Sequence, residues 1–472
     1  MDFPEELVIH QLYLQNNSLV SLLPSSFRRP INVIEVDISQ NPFRNTLEEA
    51  FFSSVVRNVE SVTAREIGLN LQNVTALAFL KDARKLRTLD LTRNSAYGVD
   101  MLPALFIENN IHSLENLILS FCRIRRINAH AFIGLVHLKT LDLSQNFIKK
   151  VPKALNRLSL LRKLNLSEND ITALRHGDFS ELPCLQELDL SKNLLGQLDA
   201  FRQGAFFGLE NSLSYLYLHD VHMTNFPTIL LSDLKKLIYL DVSKNKITLM
   251  NNNTFLGKYK LLTLEISDNP LIASKDMFYG IGESLRTIKI RRAGLNYVPS
   301  QALQTLKVLE ELDLSFNSIL TIDEHVLQGI SARRLLFRGN RIHFVSPKAF
   351  SHYRRPVDLD ISRNELSTLD FIFEAEKCTF YKVNVAGNGF LCDCNIERLI
   401  NSVHVHVMQG DCVLPNGVTT TLSNTTMTKA LEDNCGISEL DYCMWWIKND
   451  ARKHNVVLIH IAFSFVFVLV IV

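Results

Sequence analysis

Leu138-Lys-Thr-Leu-Asp-Leu-Ser-Gln-Asn146-Phe-Ile148 is the stretch of sequence that decides the fold of this chain. Two further copies keep the same frame, L-x-x-L-x-L-x-x-N, at residues 185–193 and 309–317. In each copy the leucines of L-x-L are two residues apart, so on a β-strand they point inward and the residues between them point outward. One such strand cannot bury its own leucines, and the copies must therefore stack on one another.

The asparagine position of this frame recurs along most of the chain. It has sixteen registers, and nine of the fifteen intervals between them are 24 residues long, two are 23, and the others are 26 to 28. A phase kept over so many copies predicts an α/β solenoid (a horseshoe of coils) over residues 1–390, with sixteen short parallel strands on its concave face. The registers are Asn17, Asn41, Ile67, Asn94, Cys122, Asn146, Asn169, Asn193, Val221, Asn245, Asn269, Ala293, Asn317, Asn340, Asn364 and Asn388.

The asparagine side chain suits this position because it carries two donors and one acceptor for buried backbone groups where the strand turns inward. Cys122 is a fitting substitute, since its thiol is small and a weak donor. The side chains of Ile67, Val221 and Ala293 cannot make these bonds. We therefore predict that the turns at these three coils are weaker or reshaped.

A second column lies fourteen residues before the asparagine position and is aromatic. We predict that it stacks beneath the convex side as a buried spine. Its members are Phe132, Phe179, Phe207, Phe255 and Phe350.

Residues 131–146, Ala-Phe-Ile-Gly-Leu-Val-His-Leu-Lys-Thr-Leu-Asp-Leu-Ser-Gln-Asn, resemble the 24-residue "typical" leucine-rich repeats of animal extracellular proteins. Such repeats occur in Toll-type receptors and in insect adhesion proteins such as chaoptin and connectin. The resemblance covers roughly residues 7–390. It implies a rigid recognition surface on the concave face rather than an active site.

After the last repeat, the cysteines of Phe390-Leu-Cys392-Asp-Cys394, followed by Cys412 and Cys435, resemble the cysteine-rich flank that closes such solenoids. The resemblance implies a cap over residues 390–436 with disulfides Cys392–Cys412 and Cys394–Cys435. We expect Cys122 and Cys184 to be free, because they lie far apart in the stack. The sequence does not decide whether Cys378 and Cys443 pair.

Composition and motifs give no reason to expect an enzyme, a cofactor or a nucleic-acid partner. Lys and Arg number 50 against 49 Asp and Glu, so the net charge is +1, without the basic excess that marks nucleic-acid binding. No Gly-rich phosphate loop, G-x-S-x-G or H-E-x-x-H is present. His404 and His406 could share one strand face and bind a metal, but ordinary polar positions in the cap are the preferred interpretation, and we expect no metal site.

A row of acidic residues occupies the position between the two strand leucines. An acid/base or calcium role is one interpretation; the preferred one is an ordinary polar filling of an open sheet, with nothing to raise the pKa of a carboxylate. The row comprises Asp37, Asp90, Asp142, Asp189, Asp241, Glu265, Asp313 and Asp360.

Five N-x-S/T sequons fit a secreted chain, although such a number is also close to chance. A glycan at Asn165, which lies between two strand leucines, would cover part of the concave surface. The sequons begin at Asn16, Asn73, Asn165, Asn252 and Asn424.

Two groups of outward strand residues depart from the Asp/Ser background and are the predicted partner-binding residues. The first is aromatic and, like other tyrosine-rich surfaces, suits a binding hot spot: Tyr215, Tyr217 and Tyr239. The second is cationic, with acids between its coils, and suits a partner of the opposite charge pattern: Arg286, Lys289, Arg291, Arg333 and Arg334. We expect a protein ligand, and a homodimer or heterodimer is compatible with such a face.

The two ends of the chain suggest a longer extracellular protein held at the plasma membrane. The start has neither a secretory signal nor the cysteine-rich cap that usually precedes such repeats, so we expect both to be missing. A linker over residues 437–455 leads to residues 456–472, which are almost wholly apolar and of a length at the lower edge for a membrane-spanning helix. A transmembrane helix is slightly favoured over a lipid (GPI) anchor signal.

These observations favour a cell-surface receptor or adhesion protein that recognises another protein through its concave face. Two alternatives stay open from the sequence. One is a secreted repeat scaffold or matrix protein, and the other is a repeat protein that binds and inhibits an enzyme.

Overall fold

A computed structural model gives the structure of residues 8–422, apart from short gaps. The gaps are residues 23–30, 44–46, 48, 50, 55, 95–98, 108, 197–203, 227–233, 251–253, 256–259, 354–355, 377–378, 393–395, 397–404 and 415–416.

One parallel sheet runs through the whole described part of the chain, and it contains all sixteen predicted strands. A seventeenth strand, Val405–Gln409, continues the sheet into the cysteine-rich segment by pairing with Phe380–Asn384. The two-residue strand Val56–Arg57 pairs beside the second predicted strand. The sixteen strands are Val8–Tyr13, Ile31–Asp37, Ser61–Thr63, Thr88–Asp90, Asn116–Ile118, Thr140–Asp142, Lys163–Asn165, Glu187–Asp189, Tyr215–Tyr217, Tyr239–Asp241, Thr263–Glu265, Thr287–Lys289, Glu311–Asp313, Arg334–Leu336, Val357–Asp360 and Phe380–Asn384.

The register of the sheet aligns the repeat position by position. Leu141 pairs with Leu164, which pairs with Leu188, and the alignment continues to Leu216 and Leu240. All five are buried in one continuous hydrophobic core. Each coil thus buries its leucines against its neighbours, as the 24-residue phase predicts.

The remaining elements are short and lie between the main strands. Two small parallel pairs join Val99–Leu102 to Ile124–Ile127 and Thr321–Ile322 to Phe344–Val345, and one antiparallel pair joins Asp411–Val413 to Thr419–Thr421. The α-helices are Phe51–Ser54, Ser300–Leu303 and Asp370–Phe373. The 3₁₀ helices are Ala78–Leu80, Lys153–Arg157 and Pro347–Phe350.

The asparagine ladder binds each coil to the one before it. The side-chain amide of Asn146 donates to the carbonyl of Leu119 in the preceding coil and to Leu143 in its own coil, both at 2.9 Å. Its oxygen accepts the backbone N–H groups of Cys122 at 3.1 Å and Ile124 at 2.9 Å. Both donors and the acceptor are therefore used inside the core, as predicted.

Coils that lack asparagine satisfy this position in other ways. The thiol of Cys122 lies 3.2 Å from the carbonyl oxygen of Leu91 and replaces the amide as donor. Ala293 offers no side-chain oxygen, and the N–H of Leu271 in the preceding coil bonds instead to two backbone carbonyls, that of Asn269 at 2.8 Å and that of Ala293 at 3.2 Å. Backbone carbonyls therefore take the place of the missing side-chain oxygen at Ala293.

The aromatic spine is confirmed at four of its five predicted positions and is wrong at Phe207. Phe207 is 50% exposed, and its neighbour Phe206, 2% exposed, takes the place in the core and stacks with Phe179 at 6.2 Å between ring centroids. The cause is one extra residue between Leu209 and Leu213, which shifts the spine position back by one. The four buried members are Phe132, Phe179, Phe255 and Phe350.

The disulfide Cys392–Cys412 is present, with its Cα atoms 5.2 Å apart. Cys122 and Cys184 are free, as predicted. The second predicted disulfide, Cys394–Cys435, lies outside the described residues, as do Cys378, Cys443, His404, the linker 437–455 and the apolar segment 456–472. Among the described residues, no helix is long and apolar enough to span a membrane.

Candidate functional site on the concave sheet

The three predicted tyrosines form one aromatic cluster, which we call the tyrosine patch (Tyr215, Tyr217 and Tyr239). Tyr215 and Tyr217 are two residues apart on one strand and so share its outward face, and Tyr239 pairs in register with Tyr215 on the next strand. The ring of Tyr239 lies 6.3 Å from that of Tyr215 and 5.2 Å from that of Tyr217. All three rings are half-buried, so they hold one another while keeping surface for a partner.

Two carboxylates flank the ring of Tyr217 in the same row of the sheet. The register places Asp189 beside Tyr217 on one side and Asp241 on the other. The sequence showed both as members of the acidic row but did not connect them with the tyrosines. The interval between Asn193 and Val221 is 28 residues instead of the usual 24, so a fixed 24-residue spacing does not align Asp189 with Tyr217.

The acidic row has a structural role: the Asp of L-D-L-S accepts the backbone N–H of the Ser that follows two residues later. Asp189 accepts the backbone N–H of Ser191 at 2.8 Å, and Asp142 accepts that of Ser144 at the same distance. Asn165 fills the same position and accepts the N–H of Ser167 at 3.0 Å. Each side chain thereby closes the turn that ends its strand, a bond that Asp and Asn can both make.

The expectation that nothing raises the pKa of these carboxylates is wrong. Burial raises the pKa of Asp142, Asp189 and Glu265 above the ordinary values of their carboxyl groups. The outward residues of a parallel sheet stand only one strand spacing apart, about 4.8 Å, so neighbours such as the tyrosine rings displace water from them. The concave row is consequently a partly desolvated, acidic surface.

The tyrosine patch shares this environment. Burial raises the pKa of Tyr217, and the charges of Glu187, Asp189 and Asp241 raise it further. Burial also raises the pKa of Tyr239, together with the charge of Asp241. Both phenols therefore stay protonated and act as neutral hydrogen-bonding groups on an aromatic surface.

The predicted cationic residues lie on two coils with one coil between them, and at least four of the five are paired with acids. Arg291 contacts Glu265 at 3.2 Å, and Lys289 lies 3.8 Å from the same carboxylate. Arg286 pairs with Glu310, and Arg334 Nη1 lies 3.2 Å from Glu311. This part of the face is a balanced network of charges rather than a free cationic coil.

Three of the predicted glycosylation sites lie in the described part of the chain. Asn16 and Asn73 are exposed, and the Asn73 side chain accepts the hydroxyl of Thr75 at 3.0 Å. Asn165 is half-buried on the concave row, with Asp189 between it and Tyr217 in register. A glycan at Asn165 would therefore border the tyrosine patch, whereas Asn252 and Asn424 lie outside the described residues.

Family models for leucine-rich repeats match the middle of the chain. A leucine-rich-repeat model matches residues 112–171 and 152–195, and a BspA-type leucine-rich-repeat region of six copies matches residues 233–356. These matches coincide with the ladder, the register and the core described above. The chain is a leucine-rich-repeat protein.

Relatives of this leucine-rich-repeat protein include podocan from Mus musculus, 28% identical over 78% of this chain and 62% of podocan. They also include the transforming growth factor beta activator LRRC33 from Danio rerio, 25% identical over 72% of this chain and 52% of the relative. Toll-like receptor 3 from Homo sapiens is 27% identical over 46% of this chain and 25% of the receptor. The chain thus spans less than two thirds of the length of each of these relatives.

A solved structure has the same fold. It is that of TLR13 in complex with ssRNA13, which superposes with a TM-score of 0.65 at 22% sequence identity and covers 84% of this leucine-rich-repeat chain and 57% of its own. At this identity the likeness establishes the solenoid architecture only.

Proposed function

We propose that this leucine-rich-repeat protein recognises another protein through its concave face, with the tyrosine patch as the centre of the contact. The observation that carries the proposal is the clustering of three half-buried tyrosines on two adjacent strands. Tyrosine supplies a large contact area at little conformational cost and is enriched among the residues that dominate binding energy. A rigid sheet holds the rings in place before the partner arrives.

The cationic residues are the weaker candidate for the centre. A partner that bound Arg291 would have to displace Glu265 from it, and the buried carboxylate of Glu265 would then lose that counter-charge. We therefore assign Arg286, Lys289, Arg291, Arg333 and Arg334 to orientation at the edge of the contact, where charged groups affect association rate and specificity more than affinity.

We further propose that the repeats face the extracellular space, that residues 390–436 close the solenoid, and that residues 456–472 attach the chain to the plasma membrane. The disulfide Cys392–Cys412 supports an oxidising compartment. Relatives named as Toll-like receptors support a receptor role, and a relative named as a growth-factor activator is equally compatible with a scaffold that holds a secreted protein. The proposed recognition involves no enzymatic step, no cofactor and no nucleic acid.

A binding screen tests the proposed function. The full chain is offered to a panel of purified secreted and cell-surface proteins, and each binder is tested again with the variant Y215A/Y217A/Y239A. We expect at least one binder whose affinity falls by roughly tenfold or more, since loss of a hot spot costs upwards of 2 kcal/mol.

The matched control replaces two tyrosines elsewhere, Tyr279 and Tyr297, which are more than half exposed. The control variant Y279A/Y297A should keep the affinity, and circular dichroism should show both variants folded. If binders kept their affinity for the variant Y215A/Y217A/Y239A and lost it for the control variant, the contact would lie on another face and the proposal would be refuted.

A further inference from the structure

We propose that the tyrosine patch receives a cationic side chain, an arginine or a lysine, that projects from the partner protein. Asp189 and Asp241 would be its counter-charges, and the ring of Tyr217 would be its platform. This inference rests on the proposed function and names the chemistry of the partner at the same site.

The geometry of the row supports a single central cation. Asp189, Tyr217 and Asp241 pair in register on three consecutive strands. Adjacent strands are about 4.8 Å apart, so the two carboxylates stand roughly 10 Å apart with the phenol ring between them. A guanidinium or ammonium group above the ring lies within reach of both carboxylates and of the negative face of the ring.

Both carboxylates lack a lysine or arginine partner within the part of the chain that the structure describes. In the described residues, no lysine or arginine forms an ion pair with Asp189 or Asp241, and the nearest basic group is His219, whose Nδ1 lies 4.0 Å from Asp241. Two nearby acids are different: Glu187, which stands beside Tyr215, pairs with Lys163 at 2.7 Å, and Glu265, which follows Asp241 in the row, pairs with Arg291. Asp189 and Asp241 are therefore available to a cation from outside the chain, and they flank the ring of Tyr217.

Negative charge surrounds Tyr217, and the charge of His219 only partly offsets it at Asp189. The pKa of Asp189 is raised by burial and, to a smaller extent, by the charge of Asp241. The same charges act on the phenol of Tyr217. A cation from outside would relieve this repulsion, whereas an acidic or purely apolar side chain would leave it in place or bury it further.

The substitutions that test this inference copy a pair of residues found elsewhere in the chain. Asn384 and Ala386 occupy, on a later coil, the positions that Asp189 and Ser191 occupy here, and the Ala386 N–H still bonds to the Asn384 side chain at 3.2 Å. The change Asp189→Asn with Ser191→Ala thus removes the charge and keeps the turn. The second change also avoids the new sequon that Asn-Leu-Ser would create.

The experiment uses saturation-transfer NMR on the purified full chain with two short peptides. They are acetyl-Gly-Ser-Arg-Ser-Gly-amide and its citrulline counterpart, which has nearly the same shape without the charge. We expect the arginine peptide to bind roughly tenfold more tightly, the change in affinity that a cation–π contact and two charge pairs together produce. Variants D189N/S191A and D241N/S243A should each reduce this preference, and Y217A should abolish it.

Variant D142N/S144A is the matched control, because Asp142 has the same strand position and also a pKa raised by burial. It should keep the full preference for arginine. Equal affinity of the wild-type chain for the two peptides would overturn the inference, and so would a preference that survives Y217A or falls equally in the control. A partner from the binding screen that depends on the tyrosines, combined with no preference for arginine, would overturn this inference while the proposed function stood.

Discussion

The asparagine ladder allows one prediction to be worked out atom by atom at Asn245. Its amide donates to the carbonyls of Leu218 and Val242 at 2.9 and 2.8 Å. Its oxygen accepts the N–H groups of Val221 at 3.1 Å and Met223 at 3.0 Å. The coil of Val221 thus relies on the side chain of Asn245, in the next coil, to accept both of these amides.

The substitution Asn245→Val leaves two buried N–H groups without an acceptor. Each such group costs about 1 to 3 kcal/mol, so we expect the free energy of unfolding to fall by roughly 2 to 6 kcal/mol. Guanidinium denaturation followed by circular dichroism measures the loss, and hydrogen exchange should show the amides of Val221 and Met223 exchanging faster than in the wild type.

The matched control is Asn17→Val, at an exposed position in the first described coil. Among the residues that the structure describes, its side chain donates to carbonyls of its own turn, Leu14 and Gln15, at 3.0 Å. We expect a loss below about 0.5 kcal/mol, as for other surface substitutions. Equal losses for the two variants would refute the view that the side-chain amide joins one coil to the next.

Three further predictions follow from burial. Phe206→Ala should lower the free energy of unfolding by about 3 to 5 kcal/mol and Phe207→Ala by far less, as denaturation curves would show. The reverse order would mean that Phe207, and not Phe206, is the buried member of the aromatic spine. Thiol labelling of the native chain should modify Cys184 and spare Cys122, whose pKa burial raises to about 12; rapid labelling of Cys122 would contradict its place in the core. Burial raises the pKa of Asp142, so the folded state loses stability as the pH rises from the pKa of this carboxyl in the unfolded chain to its higher pKa in the folded chain. Asp142→Asn, combined with Ser144→Ala, should therefore stabilise the protein at neutral pH, and the gain should vanish in acid. A gain in stability that does not depend on pH would be inconsistent with that cause.

The sequence predicts the solenoid well because one periodic frame determines both the strand and the ladder. The positions of Leu141 and Asn146 in the repeat frame are enough to predict that the first is a buried strand residue and the second bonds to the preceding coil. The error at Phe207 arises where the frame is interrupted, since an inserted residue before Leu213 moves the aromatic position without changing the leucine pattern. Periodicity is therefore informative only between insertions.

The adjacency of the three tyrosines was predictable from the sequence, but the electrostatics around them was not. The tyrosines stand out in the row because they replace the usual acid or small residue, and adjacency follows from the frame. The raised pKa of Asp189 and the pairing of Arg291 depend on which neighbour displaces water and which side chain reaches across a strand. Those are properties of side-chain packing, which a one-dimensional pattern does not contain.

The most direct test that the tyrosine patch is the recognition surface is to measure partner binding with a removable glycan placed on it. The single substitution Asp189→Asn creates an N-x-S sequon beside Tyr217, and Asp360→Asn creates the same kind of sequon in the same row, far from the tyrosine patch along the sheet. Peptide N-glycanase removes a glycan and converts its asparagine to aspartate, which restores the wild-type side chain at either position. Wild-type chain treated with the enzyme is the reference, and intact mass confirms occupancy.

We expect a partner found in the screen to fail to bind the chain glycosylated at position 189 and to bind it at wild-type affinity after enzyme treatment. The chain glycosylated at position 360 should bind throughout. Undiminished binding of a partner to the chain that carries a glycan beside Tyr217 would contradict the assignment of the tyrosine patch as the recognition surface.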